Sequence, residues 1–320
     1  MISVIKGYGS YLPERIVTND ELAQRLDTND AWITERTGIK QRHIAADTEM
    51  TSHLGAEAAR RALKQAGLAA NDIDLVLVAT STPDSTLPST ATKIQHQLGM
   101  TRGAAFDLNA ACSGFVYALM TADSFIRSGQ AKRVLVIGAE IFSRIVDWQD
   151  RSTCILFGDG AGAFILEASP APEGSGGVLF ARIYSDGAYE GILHSTGGVS
   201  STQNAGTVAM NGKEVFRHAV AKMSEAVEEG LTALKINASD VDWVIPHQAN
   251  VRILQSVAKK LNIQEDKLIS TVSIHANTSA ASIPLAACQA VAEGKIKPGQ
   301  MLVLPALGAG LTWGACIIRW

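Results

Sequence analysis

Two stretches of this chain, 168 residues apart, carry one pattern. EAARRALKQAGLAANDIDLVLVAT begins at Glu57, and EAVEEGLTALKINASDVDWVIPHQ begins at Glu225. The same spacing pairs Asp72 with Asp240, Asp74 with Asp242, Val76 with Val244 and Asn109 with Asn277, and it sets RVLVIG against MLVLPA. One offset held across several segments marks an internal duplication. Each copy reads as a helix, an Asp-x-Asp turn and a short strand, Leu75–Ala79 in the first and Trp243–Pro246 in the second. Both strands are apolar on both faces, as in a parallel sheet covered by helices. The expected fold class is therefore α/β, with two similar halves of layered sheets and helices, residues 1–168 and 169–320. The boundary falls in ASPAPEGSGG, the richest Pro/Gly/Ser stretch. A site in such a fold belongs where the carboxyl ends of strands from both halves meet.

Composition narrows the function classes. A chain of 320 residues exceeds one simple core, which agrees with two units. Its 47% hydrophobic and 18% charged content fits a well-buried enzyme rather than a disordered chain. A net charge of −3 provides no basic field for non-specific nucleic-acid binding. Cys112, Cys154, Cys288 and Cys316 form no CxxC pair, and no His cluster has zinc spacing, so no metal site is expected. Scattered cysteines in a chain of this size point to free thiols in a reducing, cytoplasmic setting. MISVIKGYGSYLPERIV has no uninterrupted apolar stretch of signal-peptide type, and Asp159 breaks CILFGDGAGAFIL, the nearest approach to a membrane span.

The candidate chemistry starts at LNAACSGF. AAFDL reads as a strand and SGFVYALMTADSFIRSG as a helix, with Phe115, Leu119, Ala122 and Ile126 on one face. Cys112 thus sits at a strand-to-helix turn, where free N–H groups and the helix dipole favour a thiolate. That dipole is worth about 0.3–1 kcal/mol, less than one pKa unit, so a partner is needed or Cys112 is core filler. The other three cysteines lie in apolar segments and read as filler. His247, in VIPHQANVRIL, follows a strand closed by Pro246 and is either a satisfied structural histidine or that partner. Asn277, in HANTSAAS, holds the place of Asn109 in the second copy and is either a helix cap or a third member of the site. FGDGAGA lacks G-x-G-x-x-G spacing and precedes a strand, so it reads as a tight strand connection rather than a nucleotide loop. LGAGLTWG is either a plain turn or a source of oxyanion donors.

AACSGF, PHQAN and NTSAAS, in this order, resemble the Cys-His-Asn triad of the β-ketoacyl-acyl carrier protein synthase III enzymes, which have the thiolase fold. The resemblance extends over nearly the whole chain, through GSYLPERIVTND, AWITERTGIKQRHIA, FGDGAGA, IKPGQ and TWGA. It implies a homodimeric, cytoplasmic condensing enzyme with no cofactor. Cys112 would take an acyl group, acetyl first, from acyl-CoA; malonyl-acyl carrier protein would then lose CO2 and condense to 3-oxoacyl-acyl carrier protein, initiating fatty-acid synthesis. His247 and Asn277 would hold the enolate oxygen, and the N–H groups of Cys112 and Ala309 the acyl oxyanion.

The same resemblance assigns Thr28, Trp32, Arg36 and Arg151 to the nucleotide end of CoA, with adenine between Trp32 and Arg151. Met210, Gly212, Phe216 and Asn250 would line the pantetheine arm, Leu87 and Leu307 the acyl pocket, and Arg217, Arg252, Lys259 and Lys260 the patch docking the acidic carrier. Two positions depart from the family pattern: Ala276 stands where Gly commonly precedes the triad Asn, and LGAGL replaces three glycines flanked by aromatics. The alternatives are a related condensing enzyme or acyltransferase of secondary metabolism using another acyl group, and a non-catalytic acyl- or carrier-binding subunit. A biosynthetic thiolase normally needs a second catalytic cysteine, and Cys316 lies in the apolar GACIIRW end.

Overall fold

The Asp-x-Asp repeat has the same structural job twice. This computed structural model describes residues 1–170, 172 and 176–320; residues 171 and 173–175 of the expected boundary stretch lie outside the described residues. Helix α1 (Thr51–Ala66) ends on left-handed Gly67, and helix α3 (Gly212–Leu234) ends on left-handed Lys235. Asp72 then accepts from the Ala69 N–H at 2.9 Å, and Asp240 from the Asn237 N–H at 2.8 Å, each closing a single 3-10 turn. The second aspartate ties the sheet together. Asp74 accepts from the Lys132 and Arg133 N–H groups, and Asp242 from the Met301 N–H, each at the start of the neighbouring strand.

Strand β1 is Ile2–Tyr11, β2 Leu75–Ala79, β3 Ala104–Leu108, β4 Arg133–Ile141 and β5 Asp159–Ser169. They form one sheet in the order β1-β5-β4-β2-β3, with β2 buried throughout and parallel to both neighbours. Strands β6 (Gly177–Ser185), β7 (Trp243–Val244), β8 (Met301–Gly308) and β9 (Thr312–Arg319) form a second sheet in the order β7-β8-β9-β6. The strand expected over Trp243–Pro246 thus stops at Val244. The chain still runs beside β8, donating from Ile245 to Val303 and from His247 to Pro305 at 2.9 Å each, but Pro305 of β8 has no N–H to give Ile245 O between them, so the ladder is interrupted there.

Helices α2 (Gly114–Arg127) and α5 (Ser282–Ala292) lie between the two sheets. Helix α5 is small and apolar almost throughout, which suits burial on all sides, whereas α2 keeps a polar edge at Asp123, Ser124 and Arg127. Their shared core takes Leu75, Leu77 and Phe164 from one sheet and Leu302, Leu304 and Ile318 from the other. Outside, α1 covers the first sheet, while α3 and α4 (Val251–Lys260) cover the second. The result is a layered α/β fold.

FGDGAGA differs from the sequence reading: Asp159–Ala163 lies within β5 rather than in a connection. A Cβ on Gly162 would stand 2.7 Å from the Pro284 side chain, so glycine here brings α5 down onto the sheet. Among the described residues, no helix is long and apolar enough to cross a membrane.

Candidate active site

The nucleophile candidate stands on a turn that the chain builds twice. Asn109 Oδ1 accepts from the Ala111 N–H at 3.2 Å, and Asn277 Oδ1 from the Ser279 N–H at 2.9 Å. The donating residues are both left-handed, Ala111 at φ 47° and Ser279 at φ 49°, and each opens a 3-10 turn into a central helix. This asparagine turn offsets part of the cost of a left-handed non-glycine residue. In the first half it delivers Cys112 to the N-terminus of α2; in the second it delivers Ala280.

Each turn is gripped by the central strand of the other half. A Cβ on Gly308 of β8 would meet Cys112 N at 2.7 Å and Ala110 O at 2.9 Å, and one on Gly138 of β4 would meet Ala280 O at 2.3 Å. Gly308→Ala must therefore push the Cys112 turn aside, since its obstacles are backbone. We expect turnover to fall about 10²-fold through misplacement of the sulfur. Stability should fall by about 1–3 kcal/mol. Steady-state assays and denaturation of the same preparation check both.

The second half brings its groups to the same cavity. Asn277 is latched through its backbone, donating to Leu156 O at 2.9 Å and accepting from Gly158 N–H at 3.0 Å. Its Oδ1 is spent on Ser279, so its Nδ2 is the free donor. The His247 backbone bonds to Pro305, and its Nδ1 lies 2.8 Å from Ser282 Oγ. Cys112, His247 and Asn277 are all buried, and all three line one cavity of about 310 Å³. Ala309 lines it too, and among the described residues no protein oxygen accepts the N–H of Cys112 or Ala309. Thr312 Oγ1 lies 2.9 Å from both Ala110 O and Ala309 O, so its one hydrogen bridges the Ala309 loop and the nucleophile turn.

Burial sets the electrostatics. It pushes the Cys112 thiol up to about 12 and the His247 imidazole down to about 3. The helix end favours the thiolate by less than one unit, so desolvation wins. Both shifts oppose a thiolate–imidazolium ion pair.

Glu140, behind the site, is fully buried and accepts from Thr80 Oγ1, Ser81 N–H, Thr82 Oγ1 and Ser279 Oγ. Burial pushes its carboxyl up from 4.5 to about 7 despite these donors. Folded protein then holds a proton that unfolded chain releases near 4.5, so this contribution to stability is present below 4.5 and is lost as pH rises through about 7. The amide introduced by Glu140→Gln does not titrate. Melting midpoints of wild type and Glu140→Gln at pH 5 and pH 8 should show the difference moving in favour of the variant at the higher pH; a constant difference refutes the shift.

Met210, Gly212, Phe216, Asn250 and Leu307 all line the cavity. Asn250 caps α4, accepting from the Arg252 N–H at 2.8 Å, and reaches Arg36 O at 3.1 Å. At the rim, the Arg36 and Arg151 guanidinium carbons lie 4.4 and 4.7 Å from the centre of the Trp32 ring. A flat base between two planes needs about 7 Å, so the expected Trp32–Arg151 slot is closed here, with Arg151 held by Asp27. The Thr28 hydroxyl is buried without a partner among the described residues. Leu87 is 84% exposed and does not line the cavity of its own chain.

Arg217 pairs with Glu214 at 2.6 Å and Arg252 with Glu35 at 3.9 Å, whereas Lys259 and Lys260 have no ion-pair partner among the described residues. Cys154, Cys288 and Cys316 are buried and free. No group of three or more His, Cys, Asp or Glu could hold a metal among the described residues. Sequence reading passed over Ser282, Gly308 and the Leu156–Gly158 latch; the position of Gly308 at the head of LGAGL was the one available signal.

Two family models match the chain: 3-oxoacyl-[acyl-carrier-protein (ACP)] synthase III over residues 106–187, and its C-terminal model over residues 231–320. The beta-ketoacyl-[acyl-carrier-protein] synthase III of Paramagnetospirillum magneticum is 57% identical over 99% of this chain and 98% of its own. The crystal structure of 3-oxoacyl-[acyl-carrier-protein] synthase III from Aquifex aeolicus superposes with a TM-score of 0.94 at 47% identity, covering 99% of this chain and 100% of that one. The priming beta-ketosynthase of the R1128 polyketide biosynthetic pathway gives a TM-score of 0.92 at 36% identity, covering 99% and 96%.

Proposed function

This chain belongs to the 3-oxoacyl-[acyl-carrier-protein] synthase III family, and from that membership we propose how its residues perform the reaction. It is a condensing acyltransferase: it takes an acyl group from acyl-CoA and joins it to malonyl-acyl carrier protein with loss of CO2, initiating fatty-acid synthesis. The observation that carries the residue assignment is the convergence of Cys112, His247 and Asn277 on one cavity from both halves of the repeat.

The Cys112 sulfur attacks the acyl-CoA thioester carbonyl, forming a new C–S bond. The N–H groups of Cys112 and Ala309 hold the oxyanion. Collapse breaks the bond to CoA, and the proton lost by Cys112 ends on the departing CoA thiol. Both ends of this step are neutral, which suits a site whose burial opposes a standing thiolate. CoA lies along Met210, Gly212, Phe216 and Asn250, with its nucleotide end at Thr28, Trp32, Arg36 and Arg151; Arg151 swings off Trp32 to admit the base. Acyl-CoA is a substrate, and no cofactor is needed.

Malonyl-acyl carrier protein then docks on Arg217, Arg252, Lys259 and Lys260; the absence of ion-pair partners for the two lysines among the described residues supports this patch. Its carboxylate leaves as CO2, and the electron pair moves onto the thioester oxygen. His247 and Asn277 donate to that oxygen. A neutral imidazole serves here, because the step needs an N–H in place rather than a proton taken up. The carbanion attacks the Cys112 thioester carbonyl, the C–S bond breaks, and the freed thiolate takes a proton from water.

We divide the chain into residues 1–168, which carry Cys112, and 169–320, which carry His247 and Asn277. The two sheets support this, drawing their strands from residues 2–169 and 177–319. A homodimer is supported by the free edge of β3 and by exposed Phe106 and Leu87; Leu87 then reaches an acyl pocket only across that interface. The free thiols agree with a cytoplasmic setting.

Condensation rates with malonyl-acyl carrier protein and CoA donors of rising length test the reading. Acetyl-CoA should give the highest kcat/KM. A longer preferred donor assigns the chain to priming in secondary metabolism, a reading favoured by its likeness to the R1128 enzyme and by Leu307 and Ala309. No turnover with any donor leaves only a binding subunit.

A further inference from the structure

We propose that Ser282 is a positioning residue that fixes the tautomer of His247, keeping the proton on Nε2 and that nitrogen a donor into the cavity. The inference rests on the reading of His247 as an oxyanion donor. Ser282 is the first residue of α5 and is buried. Its Oγ accepts from the Gln248 N–H at 3.2 Å and lies 2.8 Å from His247 Nδ1.

A hydroxyl has one hydrogen to give. If His247 carried its proton on Nδ1, Ser282 Oγ would accept twice, and its own hydrogen would be buried with no acceptor among the described residues. An unmade buried hydrogen bond disfavours that arrangement by about tenfold or more. The alternative satisfies every group: Gln248 donates to Ser282, Ser282 donates to Nδ1, and the ring keeps its hydrogen on Nε2. Asn277 is oriented by the same turn, through Ser279 N–H on its Oδ1, so both donors have their polarity set by one short segment.

The internal repeat supplies an independent observation. Moving back 168 residues takes His247 to Ala79 and Ser282 to Gly114. These two also face each other, since a Cβ on Gly114 would lie 3.0 Å from the Ala79 Cβ. Where the first half has no imidazole it has no hydroxyl. The two positions form one packing contact, and the second half has converted it into a hydrogen-bonded pair.

Protein labelled with 15N-histidine, with the His247 signals assigned by their loss in His247→Gln, reports the tautomer from its two ring-nitrogen shifts. Wild type should show a protonated Nε2 and a bare Nδ1. In Ser282→Ala the proton should be shared between the two nitrogens, and kcat for malonyl decarboxylation should fall about tenfold. Acylation of Cys112 should fall much less, and Ser282→Thr should restore both the spectrum and the rate. A wild-type ring protonated on Nδ1 overturns the proposal, whatever the variants do. So does Ser282→Ala with an unshifted tautomer and decarboxylation within twofold of wild type. If His247→Gln decarboxylates normally, the reading of His247 has failed, while the wild-type spectrum still decides the role of Ser282.

Discussion

Cys112→Ala takes up no acyl group from any CoA donor, and condensation falls by at least about 10³-fold. The substitution is clean. Alanine keeps the Cβ, the residue 112 N–H and the left-handed Ala111 that precedes it, so the turn and its oxyanion donors survive. Only the sulfur is lost. Decarboxylation of malonyl-acyl carrier protein should persist in the variant, because His247 and Asn277 come from the other half and remain in place. Intact-protein mass spectrometry after incubation with acetyl-CoA reads the result directly. Filler behaves differently: loss of a buried sulfur would cost stability, and activity would stay. A mass increase equal to the acyl group in the alanine variant would sink the nucleophile assignment.

The enolate donors give the second large effect, with the opposite split. His247→Ala and Asn277→Asp should each lower decarboxylation and condensation about 10²–10³-fold, the range for loss of one oxyanion donor. Cys112 should still acquire its acyl adduct in both. Aspartate is the sharper probe at residue 277. It keeps an oxygen to accept from the Ser279 N–H, so the turn holds, yet it replaces the donating amide by a carboxylate facing the enolate. Alanine there would remove the turn bond as well and confuse position with chemistry. Decarboxylation within twofold of wild type in either variant would remove that residue from the mechanism.

Legibility in the sequence followed the range of the interaction. The Asp-x-Asp motif was readable because its first carboxylate closes a turn over three residues and its second meets the start of a strand of the same half. The equivalence of Asn109 and Asn277 was readable because each bonds two residues ahead. FGDGAGA reads as a connection in the sequence because Gly160 and Gly162 answer to Leu285 and Pro284, which lie far along the chain. The Trp32–Arg151 slot is closed by an aspartate that no spacing ties to either residue.

By itself, then, the amino-acid sequence determined the duplication, the two asparagine turns and the presence of a thiol on only one of them. These depend on backbone geometry and on bonds between near neighbours, which a linear pattern records. Only the tertiary structure decided that burial opposes a thiolate, that Asn277 Oδ1 is taken by a backbone N–H, and that a serine 35 residues from His247 meets its Nδ1. Desolvation and donor polarity are properties of a closed cavity. They arise once two sheets pack on the central helices and bring a threonine 199 residues from Ser113 into hydrogen-bond contact with it.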